Sequence, residues 1–206
     1  MTSGGRSHWD SVYDAKSFTE VSWYQETPAK SLESIAVTGI GRDGAVLDAG
    51  GGASLLVDHL LEDGFTDLTV LDISDKALQQ TRDRLGAKSS RVNWIVSDIL
   101  RFTPERQYNL WHDRAVMHFL TDPGDRERYV EVVRNALLDT GFLVLATFGP
   151  DGPQQCSGLR TTRYNVDMTA ELLGPDFELQ GFELVMHETP ARAAQQFLYS
   201  TWRKCR

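Results

Sequence analysis

The residues best suited to chemistry stand together in one nonapeptide, VLDAGGGAS, at residues 46–54. An acid, Asp48, precedes Gly50, Gly51 and Gly52, and Ser54 closes the run. An apolar run that enters glycines and leaves in helical spacing marks a backbone that turns tightly and leaves room for a ligand. Alone, such a turn serves nucleotide loops of several kinds, or no ligand at all. The dinucleotide fingerprint GxGxxG needs a third glycine where Leu55 stands, and no Gly-Lys-Ser/Thr follows, so neither pyrophosphate-binding pattern is complete. Asp72 lies 24 residues beyond Asp48, at the end of the next apolar run. An acid there takes both hydroxyls of a ribose, whichever adenosine cofactor binds.

A second group is His112, Asp113 and Arg114, with His118 just beyond. These types suit a general base or a metal set, although a histidine at a strand end is also a common structural residue. Their spacing matches no metal-ligand pattern, so no metal is expected. Cys156 and Cys205 form neither a zinc pattern nor a disulfide framework and read as reduced thiols.

These residues need elements to hold them. From about residue 44, short apolar runs alternate with amphipathic segments, which predicts an α/β fold with a largely parallel sheet. Strands are expected over residues 45–50, 68–73, 92–99, 108–113 and 141–149. Helices are expected over 53–62, after a Ser74 cap up to Gly86, and over 125–138. Residues 148–164 are rich in Gly, Pro, Ser and Thr and read as a long loop. A short helix over 169–173 and two late strands over 182–187 and 196–202, paired as an antiparallel hairpin, complete the sheet. Before it lie an aromatic arm with Trp9, Tyr13, Trp23 and Tyr24, and a helix near 31–40. The expectation is one domain over 1–206: arm and helix to residue 43, a core over 44–149, and a substrate-side loop with closing strands over 150–206.

The net charge of −8, without a Lys/Arg-rich run, argues against a nucleic-acid partner. No stretch approaches the ~20 apolar residues that cross a bilayer. The N-terminus has no signal-peptide core. A soluble, cytoplasmic protein with no membrane partner is expected.

In order along the chain, VLDAGGGAS, LTVLDIS, VNWIVSDIL, YNLWHDRAVMHFL and GFLVLATF resemble the successive motifs of class I S-adenosylmethionine-dependent methyltransferases. The resemblance spans roughly residues 44–149 and implies a single Rossmann-like domain: a seven-stranded, mostly parallel sheet with an antiparallel C-terminal hairpin and helices on both faces. It also implies roles. Gly50 and Gly52 would let the backbone approach the methionine part of S-adenosylmethionine, and Asp48 would orient its ammonium. Asp72 would hold the ribose and Ile73 would lie against the adenine. Asp98 would accept from the adenine amino group, with Ile99 on the ring. His112, Asp113 and Arg114 would stand near the reacting end, and Trp23 and Tyr24 would cover the cofactor. HWDSVY, VSWYQ and HDRAV further resemble a subgroup that includes eukaryotic protein-lysine methyltransferases acting on elongation factor and citrate synthase. This chain departs from it, with Arg114 and Ala115 where that subgroup favours Lys and Gly.

The reaction expected is methyl transfer by direct displacement to a small-molecule acceptor, with thiols or sulfide first. A thiol ionises near ~8.5 and a lysine only near ~10.4, and a protein substrate needs an open groove. The late His187 and Gln195 could wall such a pocket. Protein-lysine methylation is the alternative. A nicotinamide dehydrogenase and a non-catalytic S-adenosylmethionine-binding domain are the remaining readings; the missing third glycine counts against the first.

Overall fold

The structure, a computed structural model, describes residues 5–205. The apolar run before the glycines is strand β1 (Val46–Ala49), and the chain re-enters helix at α3 (Leu56–Glu62). Strand β2 (Leu68–Asp72) leads into α4 (Asp75–Leu85). Ser74 caps that helix by accepting from the Ala77 N–H at 3.3 Å, and Gly86 ends it at φ +55. Strand β3 (Val92–Val96) stops short of residue 99, because Asp98 caps a 3-10 turn over Ile99–Arg101. Strand β4 (Tyr108–Arg114) precedes α5 (Pro123–Ala136) and β5 (Leu137–Phe148). Helix α5 starts before the expected residue 125, since Asp122 accepts from the Gly124 N–H and Pro123 opens the first turn.

Among the described residues seven strands form one sheet, in the order β3-β2-β1-β4-β5, then β9 (Ala194–Lys204) and β8 (Phe177–Glu188). Strands β1 to β5 run parallel, while β9 pairs antiparallel with β5 and with β8. The late hairpin is therefore longer than its apolar core predicts. The loop after β5 carries a small hairpin, β6 (Gln155–Cys156) and β7 (Leu159–Arg160), and α6 (Val166–Leu173) begins at an Asn165 cap.

Side chains of the sheet alternate between its two faces. Leu47, Trp111, Leu143 and Leu145 enter one apolar cluster with Tyr129 and Val133 of α5 and Leu173 of α6. Val46, Leu110 and Val144 enter the other, with Leu56 and Leu60 of α3, Leu78 of α4 and Ile35 of α2 (Ala29–Val37). Burial on both faces explains why these strands read as continuous apolar runs. The arm contains α1 (Arg6–Ala15), an element its polar sequence does not announce. Its Trp9 and Tyr13, four residues apart, are the side that turns toward the domain. Helix α1 is pinned to α4 by the Lys76–Asp14 ion pair and by the Ser74 hydroxyl donating to Asp10 at 2.6 Å. Among the described residues no helix is long and apolar enough to cross a membrane.

Candidate active site

In a sheet of this order, β1 and β4 are adjacent and their connections leave to opposite sides, which opens a crevice at their C-terminal ends. The glycine loop forms its floor. Gly50 stands at φ +68, and a Cβ there would fall inside the envelope of Val116 Cγ2. Gly52 stands at φ +34, and a Cβ there would come within 2.6 Å of Asp72 Oδ2. The glycines therefore serve a left-handed backbone and a close approach together. The Gly50 N–H donates to the Leu71 carbonyl at 2.7 Å, which ties the loop to β2.

A cavity with room for about 100 Å³ of water-sized centres runs from this loop and opens to solvent. Asp72, Ile73, Asp98 and Ile99 line one end of it, so the structure brings together four residues expected to hold the adenosine. Asp72 is buried, and its Oδ1 accepts from the Ser74 N–H at 2.8 Å. Burial pushes its carboxyl up to about 7; the Ser74 N–H opposes this, and Asp48 adds to it. Asp98 accepts from the Leu100 N–H at 3.0 Å and holds the turn that presents Ile99.

A second recess lies on the other side of Gly50, lined by Asp48, Ser54, Ser31, His112 and Tyr24 among others. Here Asp48 Oδ1 is 2.7 Å from His112 Nδ1, and His112 Nε2 is 2.9 Å from the Ser31 hydroxyl. An ionised Asp48 can only accept, so Nδ1 donates to it, and Nε2 is hydrogen-bonded to the Ser31 hydroxyl. His112 is thereby a strut that aims Asp48, with no ring nitrogen left for a substrate. Asp113 is fully buried, and its carboxylate accepts from the Val116 N–H, the Met117 N–H and the Tyr129 hydroxyl at 2.9, 3.2 and 2.6 Å. Burial raises it to about 6, against the pull of those donors. It braces the turn after β4 beneath the site, so its placement and that of His112 do not support the expected direct catalytic roles.

Arg114, one residue on, points the other way and lines both recesses. Its Nε donates to the Tyr199 hydroxyl and its Nη1 to the Trp23 carbonyl, both at 3.0 Å. The guanidinium carbon lies 4.6 Å from the Phe197 ring centre. Ala115 follows at φ +76, an unusual conformation for a residue with a Cβ. Trp23 borders both recesses and Tyr24 the smaller one.

Beyond Arg114 the larger cavity is aromatic. Phe119, Phe148 and Phe197 form its wall, and Trp9 closes on Phe119 and Trp23 with ring centres 5.1 and 5.9 Å apart. His118, Cys156 and Gln195 also line it. His118 stacks on Phe148 at 4.1 Å, and its Nδ1 accepts from the Phe148 N–H at 3.2 Å. Burial, reinforced by the Arg114 charge, depresses His118 to about 3. His187 is instead occupied with the Ser22 carbonyl at 2.7 Å. The wall of phenylalanines went unread in the sequence. Each looks like ordinary core, and the density of tryptophan and tyrosine in the arm was the one available signal. Among the described residues no three His, Cys, Asp or Glu side chains gather as a metal-ligand set.

A family model for a methyltransferase domain matches residues 47–143. EEF1A lysine methyltransferase 2 of Danio rerio is 24% identical over 193 residues, which cover 86% of this chain and 82% of that protein. A structure solved for the conversion of a disulfide bond into a thioacetal group during echinomycin biosynthesis superposes with a TM-score of 0.77 at 18% identity, covering 97% of this chain and 92% of the other. The 1,6-didemethyltoxoflavin-N1-methyltransferase of Burkholderia thailandensis, solved with 1,6-didemethyltoxoflavin and S-adenosylhomocysteine bound, superposes with a TM-score of 0.69 at 21% identity over 98% of this chain and 84% of that one. Fold, glycine loop and matched segment define a Rossmann-like methyltransferase domain. The matched segment and the fold support S-adenosylmethionine-dependent methyltransferase activity, with S-adenosylmethionine as the methyl donor. The site fits that donor: the loop has no space for side chains, and Asp72 Oδ2 faces the gap that the missing Gly52 Cβ leaves.

Proposed function

We propose that this methyltransferase acts on a small acceptor, with thiols or sulfide preferred over amines. The observation that carries the reading is the roofed aromatic cavity: Trp9 and Trp23 of the arm close over Phe119, beside the crevice that suits the donor. Such a chamber suits a compact molecule, and its largely apolar lining favours an anionic nucleophile whose charge is neutralised in the reaction. S-adenosylmethionine supplies a methyl group that its sulfonium already makes electrophilic. The chain's own task is therefore binding, alignment and desolvation.

In this reading Asp72 accepts from both ribose hydroxyls, Asp98 accepts from the adenine amino group, and Ile73 and Ile99 sandwich the ring. Asp48, aimed by His112 and Ser31, takes the ammonium, while Gly50 and Gly52 let the methionine part lie on the backbone. Trp23 and Tyr24 roof the methionine end, and Arg114 stands at the junction with the acceptor chamber.

Protein-lysine methylation is the second reading, favoured by the likeness to the Danio rerio lysine methyltransferase along most of both chains. The test is transfer of a labelled methyl group to a panel of thiols and sulfide, and to whole-lysate proteins. Label on the small acceptors supports the first reading. Label on a protein lysine, with none on the small acceptors, overturns it in favour of the second.

A further inference from the structure

Two buried hydrogen-bond donors beside the acceptor chamber have no partner in the protein: Arg114 Nη2 and His118 Nε2. Among the described residues no carboxylate forms an ion pair with Arg114; its other nitrogens meet only a phenol oxygen and a backbone carbonyl. Arg114 is half-buried, but its Nη2 is shielded from water, and a buried donor left unpaired carries a desolvation penalty. His118 is likewise held in one state. Its Nδ1 lone pair receives the Phe148 N–H, so the ring hydrogen resides on Nε2 and that atom can only donate. The acids of the cavity, Asp72 and Asp98, lie at its adenosine end. The remaining lining around Arg114 and His118 is aromatic and aliphatic, with Cys156 and Gln195.

We propose that Arg114 Nη2 and His118 Nε2 form an anion seat, and that the acceptor enters already ionised, as a thiolate or hydrosulfide. The proposal rests on the small-acceptor reading above. The arrangement offers a cation and a neutral donor to the incoming atom and no base to take its proton. The proton is accordingly lost to bulk water before binding. The acceptor sulfur then forms its bond to the methyl carbon as the donor's carbon–sulfur bond breaks, with the electron pair staying on the donor sulfur. A protonated amine finds no carboxylate at this end, and its charge is opposed by Arg114.

The test uses the full chain with labelled S-adenosylmethionine and four acceptors: hydrosulfide, benzenethiol, aniline and benzylamine. The wild type is expected to methylate the two sulfur anions and neither amine. Arg114→Met is expected to raise KM for benzenethiol at least tenfold and to raise Kd for S-adenosylhomocysteine, by calorimetry, far less than that. Arg114→Lys is expected to retain part of the effect. His118→Phe, which keeps the stacking and loses the donor, is expected to raise KM as well, and His118→Gln to recover part of it. Retained S-adenosylhomocysteine binding certifies the fold of each variant. Amines methylated as well as benzenethiol, with KM unmoved in Arg114→Met, overturn the anion seat and leave the small-acceptor reading standing. Loss of S-adenosylhomocysteine binding in Arg114→Met and Arg114→Lys alike assigns the guanidinium to the donor and also overturns the seat. Label confined to lysate protein lysines defeats both proposals. The wild-type acceptor panel decides between anion and amine even where a variant fails to fold.

Discussion

Ala115 holds a left-handed backbone, at φ +76, between the guanidinium of Arg114 and the turn braced by Asp113. A Cβ in that region costs about 1 kcal/mol or more relative to glycine. Ala115→Gly is therefore expected to stabilise the fold by roughly 0.5–1 kcal/mol, after the extra entropy of an unfolded glycine is deducted. Equilibrium denaturation in urea checks this, and a loss of stability would mean that packing of the methyl group outweighs the strain. Asp72 sets a pH dependence. Its folded carboxyl titrates near 7, against an ordinary 3.8, so the native state binds more protons in that window. Stability of the ligand-free protein then falls as pH rises from about 4 to about 7, with a slope that reaches about 1.4 kcal/mol per pH unit. Asp113, raised to about 6, adds a slope of the same sign. Asp72→Asn should flatten the part that belongs to Asp72. The carboxylate is the form that accepts two ribose hydroxyls, so S-adenosylhomocysteine should bind more tightly as pH rises through 7. Asp72→Ala should weaken that binding at least tenfold in a folded protein, measured by calorimetry. Unchanged affinity would remove Asp72 from the donor site.

The arm is the element proposed to close over the cavity. Helix α1 touches the domain through an exposed ion pair, the Ser74 hydroxyl, the Gln80 amide that donates to the Tyr13 carbonyl, and the packing of Trp9 on Phe119 and of Tyr13 on Ala53 and Ala77. Exposed ion pairs contribute little, so the helix is held mainly by aromatic contacts over the cavity. Hydrogen exchange over residues 8–25 is expected to slow on addition of S-adenosylhomocysteine, while exchange in β1 and β4 stays unchanged. Equal protection with and without ligand would make the arm a fixed part of the core. The parallel strands were legible because apolar runs, glycine stops and the Ser74 cap are local signals. Helix α1 was not, since Trp9 and Tyr13 acquire their buried side only by docking on α4 and Phe119. The ends of β8 and β9 were missed for a related reason. Phe182, Leu184 and Met186 are largely exposed, so β8 is held by pairing with β9 rather than by a buried apolar face.

At the scale of the molecule, a ligand that binds only the native state adds its binding free energy to stability. S-adenosylhomocysteine at about a hundred times its Kd is expected to contribute about 2.7 kcal/mol, which raises Tm by roughly 5–10 °C for a chain of this size. NAD at the same concentration is expected to leave Tm unchanged, because the loop lacks the third glycine that a pyrophosphate needs. A thermal scan with each ligand checks both. A shift with NAD equal to that with S-adenosylhomocysteine would reopen the dehydrogenase reading.

By itself the sequence determined the order of the sheet-forming runs, the glycine loop and the acid at the end of β2. Each is a short-range pattern whose physical cause, a tight turn, a cap or a buried strand, lies within a few residues of itself. Only the tertiary structure decided which neighbours face the cavity. Asp113 and Arg114 are adjacent, yet strand alternation sends one into the core and the other into the cavity. His112 reads like a base and becomes a strut because Ser31, 81 residues away, reaches its far nitrogen. The aromatic end of the cavity is assembled from Trp9, Phe119, Phe148, Cys156 and Phe197, which separate segments deliver to one point. No spacing rule links such residues, because their distance along the chain carries no information about a contact that the sheet order creates.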